Sequence, residues 1–258
     1  MSTQRQDEDG AMTAPTTIEW TVGPSRCEIR SGALHLWRIR TDADGIELAH
    51  ALSLLGERQR ARAARMRHLP YRERYVRAHA GLREILSRYL DAPPGALCFE
   101  YGPAGTPALA GAAVPLSFNL TTTGDLALVA LCPGVGPRSD VGVDCEWIRP
   151  RHSIEAVAQR MFAPEVVRAL ESAPQDQRIA RFYRAWTALE ADAKADGRGL
   201  FRPRPAGAQP PAVLHCIPET GYIAAVARSA LPPVPDWSTF DLLPQVWSAP
   251  AGASSIGR

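Results

Sequence analysis

Lysine is almost absent from this 258-residue chain: of 29 basic residues only Lys194 is lysine, and the others are arginine. Long apolar runs are missing too. No stretch approaches the roughly 18 apolar residues that a membrane-spanning helix requires, so no membrane association is expected. The opening residues, MSTQRQDEDGAMTAPTT, carry none of the apolar core of a secretory leader. Cysteine is scarce, odd in number and scattered (Cys27, Cys98, Cys132, Cys145, Cys216), with no C-x-x-C pair. That argues against a disulfide scaffold or a zinc finger and for free thiols in a reducing, cytoplasmic setting. Net charge is also small, +2 at pH 7, and by itself identifies no polyanionic partner.

What is present is enough chain for one large domain or two small ones with a real core. Residues 1–17 have the composition of a disordered tail. From Leu231 onward, prolines and small residues mix with Trp237, Phe240 and Trp247, giving an extension (231–258) expected to drape over the surface on its aromatics. Between the tails, Ala33–Ile39 alternates as a half-buried strand, and Leu52–Leu90 is helical in spacing with Pro70 separating one helix from the next. Short apolar runs then predict strands at Leu97–Tyr101, Ser117–Leu120, Leu126–Leu131 and Val141–Glu146. Helical spacing returns over Ile154–Leu170 and Ile179–Ala195, and two further strands follow at Ala212–Cys216 and Tyr222–Ala227. The repeated order of strand, helices and strands predicts an α+β protein of two similar α/β subdomains, 18–137 and 138–230.

Between Glu57 and Arg88 stand ten arginines against three glutamates. Arg58, Arg62 and Arg65 recur at helical spacing, so guanidinium groups could face phosphates or an acidic protein; a solvated helix face reads equally well. Nucleic-acid binding is disfavoured, because the stretch lacks interleaved exposed aromatics and any helix-turn-helix or zinc-finger spacing.

The sharpest chemistry lies in Val141-Gly-Val-Asp-Cys-Glu-Trp147. On a strand, Asp144 and Glu146 share one face while Cys145 points away, which also argues against Cys145 as a nucleophile. Paired carboxylates repel unless a cation lies between them, and an all-oxygen donor set suits Mg²⁺. A lone D-x-E is more often an incidental strand end. Some forty residues later, Trp186, Glu190 and Lys194 fall at i, i+4 and i+8 on one helical stripe.

Together these segments resemble the 4′-phosphopantetheinyl transferases of the surfactin type. The resemblance rests on Gly142-Val-Asp-Cys-Glu146, on Trp186-Thr-Ala-Leu-Glu-Ala-Asp-Ala-Lys194 and on Gly197-Arg-Gly-Leu200. It extends upstream to Phe118-Asn-Leu-Thr-Thr-Thr-Gly124, Gly105-Thr-Pro107 and Ala78-His-Ala-Gly-Leu-Arg83, covering about Leu52 to Leu200. It implies the pseudo-twofold transferase fold, sufficient as a monomer, and transfer of phosphopantetheine from coenzyme A to a serine of an acyl or peptidyl carrier protein. By resemblance Asp144, Glu146 and Glu190 would hold Mg²⁺, Glu190 would receive the serine proton, and Lys194 would neutralise the phosphate. Arg58, Arg62, Thr106, Pro107, Thr121, Thr122 and Lys194 fall where the family contacts coenzyme A.

Three positions depart from the family pattern: Thr122 stands for a histidine, and Thr106 and Leu189 for lysines. Arginine bias would have preserved the charge at the lysines. Each lost charge-assisted bond is worth roughly 1.5–3 kcal/mol, so two readings stay open. One is an active transferase with altered coenzyme A contacts. The other is a transferase-fold protein that acts on, or only binds, a carrier-tethered intermediate.

Overall fold

The computed structural model describes residues 14–42, 47–90, 92–102, 105–111, 115–134, 140–151, 153–204 and 206–243. In chain order the elements are β1 (Thr16–Thr17), β2 (Thr21–Val22), β3 (His35–Arg40), α1 (Leu48–Leu54), α2 (Glu57–Arg65), α3 (Leu69–Ser87), β4 (Phe99–Tyr101), β5 (Pro107–Leu109), β6 (Leu116–Thr123) and β7 (Leu126–Pro133). They continue with β8 (Val141–Trp147), α4 (Ile154–Met161), α5 (Pro164–Glu171), α6 (Gln175–Ala195), β9 (Ala212–Ile217), β10 (Tyr222–Arg228) and β11 (Ser238–Leu242). One sheet has the order β2-β11-β3-β7-β6, a second β1-β9-β10-β8, and β4-β5 is a separate hairpin.

The expected α+β architecture is present, and strand order makes the repeat explicit. In β3–α3–β6–β7 and again in β8–α6–β9–β10, the third strand lies between the other two, antiparallel to both. Strand alternation divides the side chains into layers. On β3 and β7, Trp37, Ile39, Ala127, Val129 and Leu131 pack with α1 and α3. Their neighbours Leu36, Leu128, Ala130 and Cys132 point the other way, against Val141, Val143, Cys145, Cys216, Ala224 and Val226 of the second sheet. Helices therefore cover the outer faces and the sheets pack on each other, which explains why β7 reads as an unbroken apolar run. All five cysteines are free thiols, and no described helix is long and apolar enough to cross a membrane.

The two halves are also tied by charge. Arg38 of β3 donates to Glu219 at 3.3 Å and, within its own sheet, forms a bidentate pair with Asp241 of β11, at 2.6 and 2.7 Å. Arg40 meets both oxygens of Glu219, in the β9–β10 turn, at 2.8 and 2.6 Å. Trp20 lies 4.9 Å beneath the Arg38 guanidinium and donates its indole N–H to the Pro218 carbonyl.

Several expectations change. The segment expected as a tail to residue 17 already forms β1, where Thr16 and Thr17 pair with Cys216 and Ile217; residues 1–13 lie outside the described residues. The 231–258 extension does not drape: β11 inserts between β2 and β3, parallel to both, and residues 244–258 lie outside the described residues. The 52–90 stretch contains three helices, because the chain is extended at Leu55 and Gly56 before Pro70 opens the third. Gly56 leaves room for Arg83, whose Nη2 would lie 2.7 Å from an added Cβ. The expected helix over 154–170 divides at Ala163, which is held extended by the following Pro164.

Candidate active site

Chain packing brings the D-x-E strand and the Trp186–Glu190–Lys194 stripe together through small residues. Even positions of β8 face α6, and there Ala191 and Ala195 of the helix rest on Ala225 and Ala227 of β10. Gly142 is indispensable to this approach. A Cβ built on it would lie 2.0 Å from the Ala191 carbonyl oxygen and 2.6 Å from the Ala195 nitrogen.

The close helix–strand spacing lets Lys194 reach down to Asp144. Its Nζ donates to Asp144 Oδ1 at 2.6 Å and lies 3.3 Å from Glu190 Oε2. Thr121 of β6 completes the group, donating its hydroxyl to Asp144 Oδ1 at 3.0 Å and receiving a long bond of 3.5 Å from Lys194. Glu146 accepts the Thr123 hydroxyl at 3.3 Å. Cys145 points into the inter-sheet core, as alternation required.

Electrostatics reinforce the geometry. Burial raises the Asp144 pKa, Glu190 and Glu146 raise it further, and Lys194 opposes them. Burial and the Glu190 charge likewise raise Glu146, against bonds from Thr123 and Trp186. Burial alone would lower Lys194, but Asp144 and Glu190 more than compensate, and its pKa is raised. Asp144, Glu146 and Glu190 thus gather around one ammonium ion, and burial beside like charge makes Asp144 and Glu146 hold their protons more tightly than free carboxyl groups do.

Among the described residues no three acidic, histidine or cysteine side chains already converge as a metal cage. The donor chemistry nonetheless fits a hard divalent cation. Asp144 Oδ2 is buried without a hydrogen-bond partner, while Oδ1 is fully engaged by Lys194 and Thr121. An oxygen-only set with one orphaned buried carboxylate oxygen and uncompensated negative charge suits Mg²⁺.

The remaining candidates form a path leading away from this cluster. Thr106 and Pro107 lie in the β4–β5 hairpin, and a Cβ on Gly197, just past Lys194, would lie 3.6 Å from Thr106 Oγ1. Directly across the hairpin from Pro107, Tyr101 stacks under Arg58, with the guanidinium 3.9 Å from the ring centroid. Arg62 lies 5.4 Å from the Tyr75 ring. Arg58, Arg62, Arg65 and Met66 line an open groove of about 440 Å³, and Arg58 also lines an adjoining one of about 220 Å³ with Tyr101. Thr122 is exposed, on the opposite face of β6 from Thr121, and does not join the carboxylates.

Much of the arginine excess serves the fold. Arg83 is buried and bonds to Gln59 and to the carbonyls of Pro94 and Leu97, and Arg88 caps those of Gly23 and Pro24. Arg74 and Arg77 pair with Asp125 and Glu73. Sequence reasoning did not identify Thr123, Tyr101 or the contact of Thr121 with Asp144. Alternation in Asn119-Leu-Thr-Thr-Thr123 was the available signal for the two threonines; the Tyr101 contact depends on tertiary packing alone.

Comparison with known proteins agrees with this geometry. Residues 140–211, spanning the D-x-E strand, α6 and the glycine loop, match the family model of the 4′-phosphopantetheinyl transferase superfamily. The chain is 34% identical over 223 residues to the 4′-phosphopantetheinyl transferase HetI of Nostoc sp., covering 81% of this chain and 92% of that protein. It is 34% identical over 166 residues to a putative 4′-phosphopantetheinyl transferase of Synechocystis sp., covering 64% of this chain and 65% of the relative. With the AcpT 4′-phosphopantetheinyl transferase of Salmonella typhimurium, identity is 36% over 120 residues, 46% of this chain and 58% of the relative. A carboxylate strand closed by a glutamate–lysine helix, within a match running nearly the full length of HetI, places the chain in the 4′-phosphopantetheinyl transferase superfamily.

Proposed function

We propose that the protein is a surfactin-type transferase that moves 4′-phosphopantetheine from coenzyme A to a serine of an acyl or peptidyl carrier protein. The observation that carries this reading is the convergence of Asp144, Glu190 and Lys194, with Asp144 Oδ2 left buried and unpartnered. Asp144, Glu146 and Glu190 would hold Mg²⁺, which when bound supplies charge neutralisation at the pyrophosphate. Glu190 accepts the proton of the carrier serine as its oxygen bonds to the phosphorus bearing pantetheine. The bond from that phosphorus to the bridging oxygen breaks, and adenosine bisphosphate leaves. Lys194, held charged by its carboxylates, stabilises the non-bridging phosphate oxygens. Arg58 and Arg62 receive the outer phosphate of coenzyme A, with Thr106 and Pro107 on the wall between groove and cluster. Arg58, Arg62 and Arg65 in one groove offset the uncharged Thr106, Thr122 and Leu189. The free thiols support a reducing, cytoplasmic setting, and a monomer with no nucleic-acid partner suffices.

Incubation with apo carrier protein, coenzyme A and Mg²⁺ should yield the phosphopantetheine adduct by mass spectrometry. Glu190→Gln should lower the rate by about 10²–10⁴-fold. No adduct across several carriers, alongside a working control transferase, would refute the proposal. The second reading, action on a carrier-tethered intermediate, rests on the three uncharged family positions and requires carrier binding without coenzyme A binding.

A further inference from the structure

We propose that β6 positions both carboxylates of β8, with Thr123 setting Glu146 and Thr121 setting Asp144; the inference rests on the divalent-cation reading above. The two strands lie side by side, yet among the described residues no backbone ladder joins them. Three side chains from one face of β6 take the place of the ladder. Asn119 Oδ1 accepts the Val143 N–H at 3.1 Å, and Thr123 Oγ1 accepts the Trp147 N–H at 3.3 Å. These bonds pin the β8 backbone on either side of Asp144-Cys145-Glu146. Between them, the Thr121 hydroxyl donates to Asp144 and the Thr123 hydroxyl to Glu146.

A hydroxyl can accept and donate at once. Thr123 therefore fixes the strand backbone and that strand's own carboxylate through a single oxygen. Thr121 likewise accepts from Lys194 while donating to Asp144. The amino-terminal half thus sets the orientation of the Asp144 and Glu146 carboxylates, ordering otherwise mobile side chains before any ligand arrives.

The test compares Thr123→Val and Thr123→Ala, which remove the oxygen, with Thr123→Ser, which keeps it. Mn²⁺ uptake without coenzyme A is followed by electron paramagnetic resonance, with kcat, KM and thermal midpoint measured alongside. Loss of the oxygen should weaken Mn²⁺ binding about tenfold and lower kcat more than it raises KM, while Thr123→Ser stays within about twofold of wild type. Wild-type Mn²⁺ affinity in Thr123→Val and Thr123→Ala, or equal impairment in Thr123→Ser, would overturn the inference alone. Absence of Mn²⁺ uptake by the wild type, or uptake unchanged in Asp144→Asn, would overturn the cation reading and the inference with it.

Discussion

Replacing Gly142 by alanine tests whether helix–strand spacing sets the chemistry. The new methyl group would sit 2.0 Å from the Ala191 carbonyl oxygen and 2.6 Å from the Ala195 nitrogen. Both are backbone atoms of α6, so no side chain can rotate aside. Restoring ordinary contact at about 3.5 Å requires α6 to lift by about 1.5 Å. Overpacking of this kind costs about 1–3 kcal/mol, which for a chain of this size lowers Tm by about 2–12 °C. The same displacement would break the 2.6 Å contact of Lys194 with Asp144, and a misplacement of about 1 Å can cost about 10²-fold in rate. Thermal denaturation and steady-state transfer kinetics, run where Gly142→Ala is still folded, separate the two effects. Wild-type Tm and rate would refute the close approach. A lower Tm with an unchanged rate would refute the link between spacing and catalysis.

Two further outcomes follow from other parts of the molecule. Burial lowers the His35 pKa from 6.5 to about 4, and its Nδ1 meets the Tyr89 hydroxyl at 2.7 Å while Trp37 donates to that same hydroxyl at 2.8 Å. The unfolded chain takes up this proton below about pH 6.5 and the folded chain only near pH 4, so the stability contribution is complete above 6.5 and lost as pH falls toward 4. Urea midpoints should drop over that window in the wild type and drop less in His35→Gln; parallel pH profiles would disprove the assignment. Arg58→Ala and Arg62→Ala should each raise KM for coenzyme A by about 10–100-fold, the equivalent of one charge-assisted bond, with a smaller change in kcat. Steady-state kinetics showing the loss mainly in kcat would remove both residues from the outer-phosphate site.

The elements carrying Asp144, Glu146, Glu190 and Lys194 were legible because local periodicity decides them: alternation on β8 and i, i+4 spacing on α6. Gly142 could be read as a motif position, but its steric role needed Ala191 and Ala195 to be seen against it. The same limit applies to the arginines. Sequence counts the positive charge between Glu57 and Arg88, yet only tertiary contacts separate Arg83, buried against carbonyls, from Arg58 over Tyr101. Strands β1, β2 and β11 escaped notice because two to five residues carry too little periodicity, and their pairing partners are remote in sequence. Pro164 is visible in the sequence, but the division it makes in the apolar spacing over 154–170 shows only in the extended backbone of Ala163.

The placement of β11 bears on how the chain is made. Ser238–Leu242 fills the gap between β2 and β3 in the sheet of the amino-terminal half. During synthesis that sheet cannot close until the last of these residues has left the ribosome, whatever α1–α3 have already done. The charge pair from Arg38 to Asp241 forms at the same late stage. The two halves share a topology, but they mature together: β3, β7 and β6 must wait, as an open-edged sheet, for a strand encoded after the other half is complete.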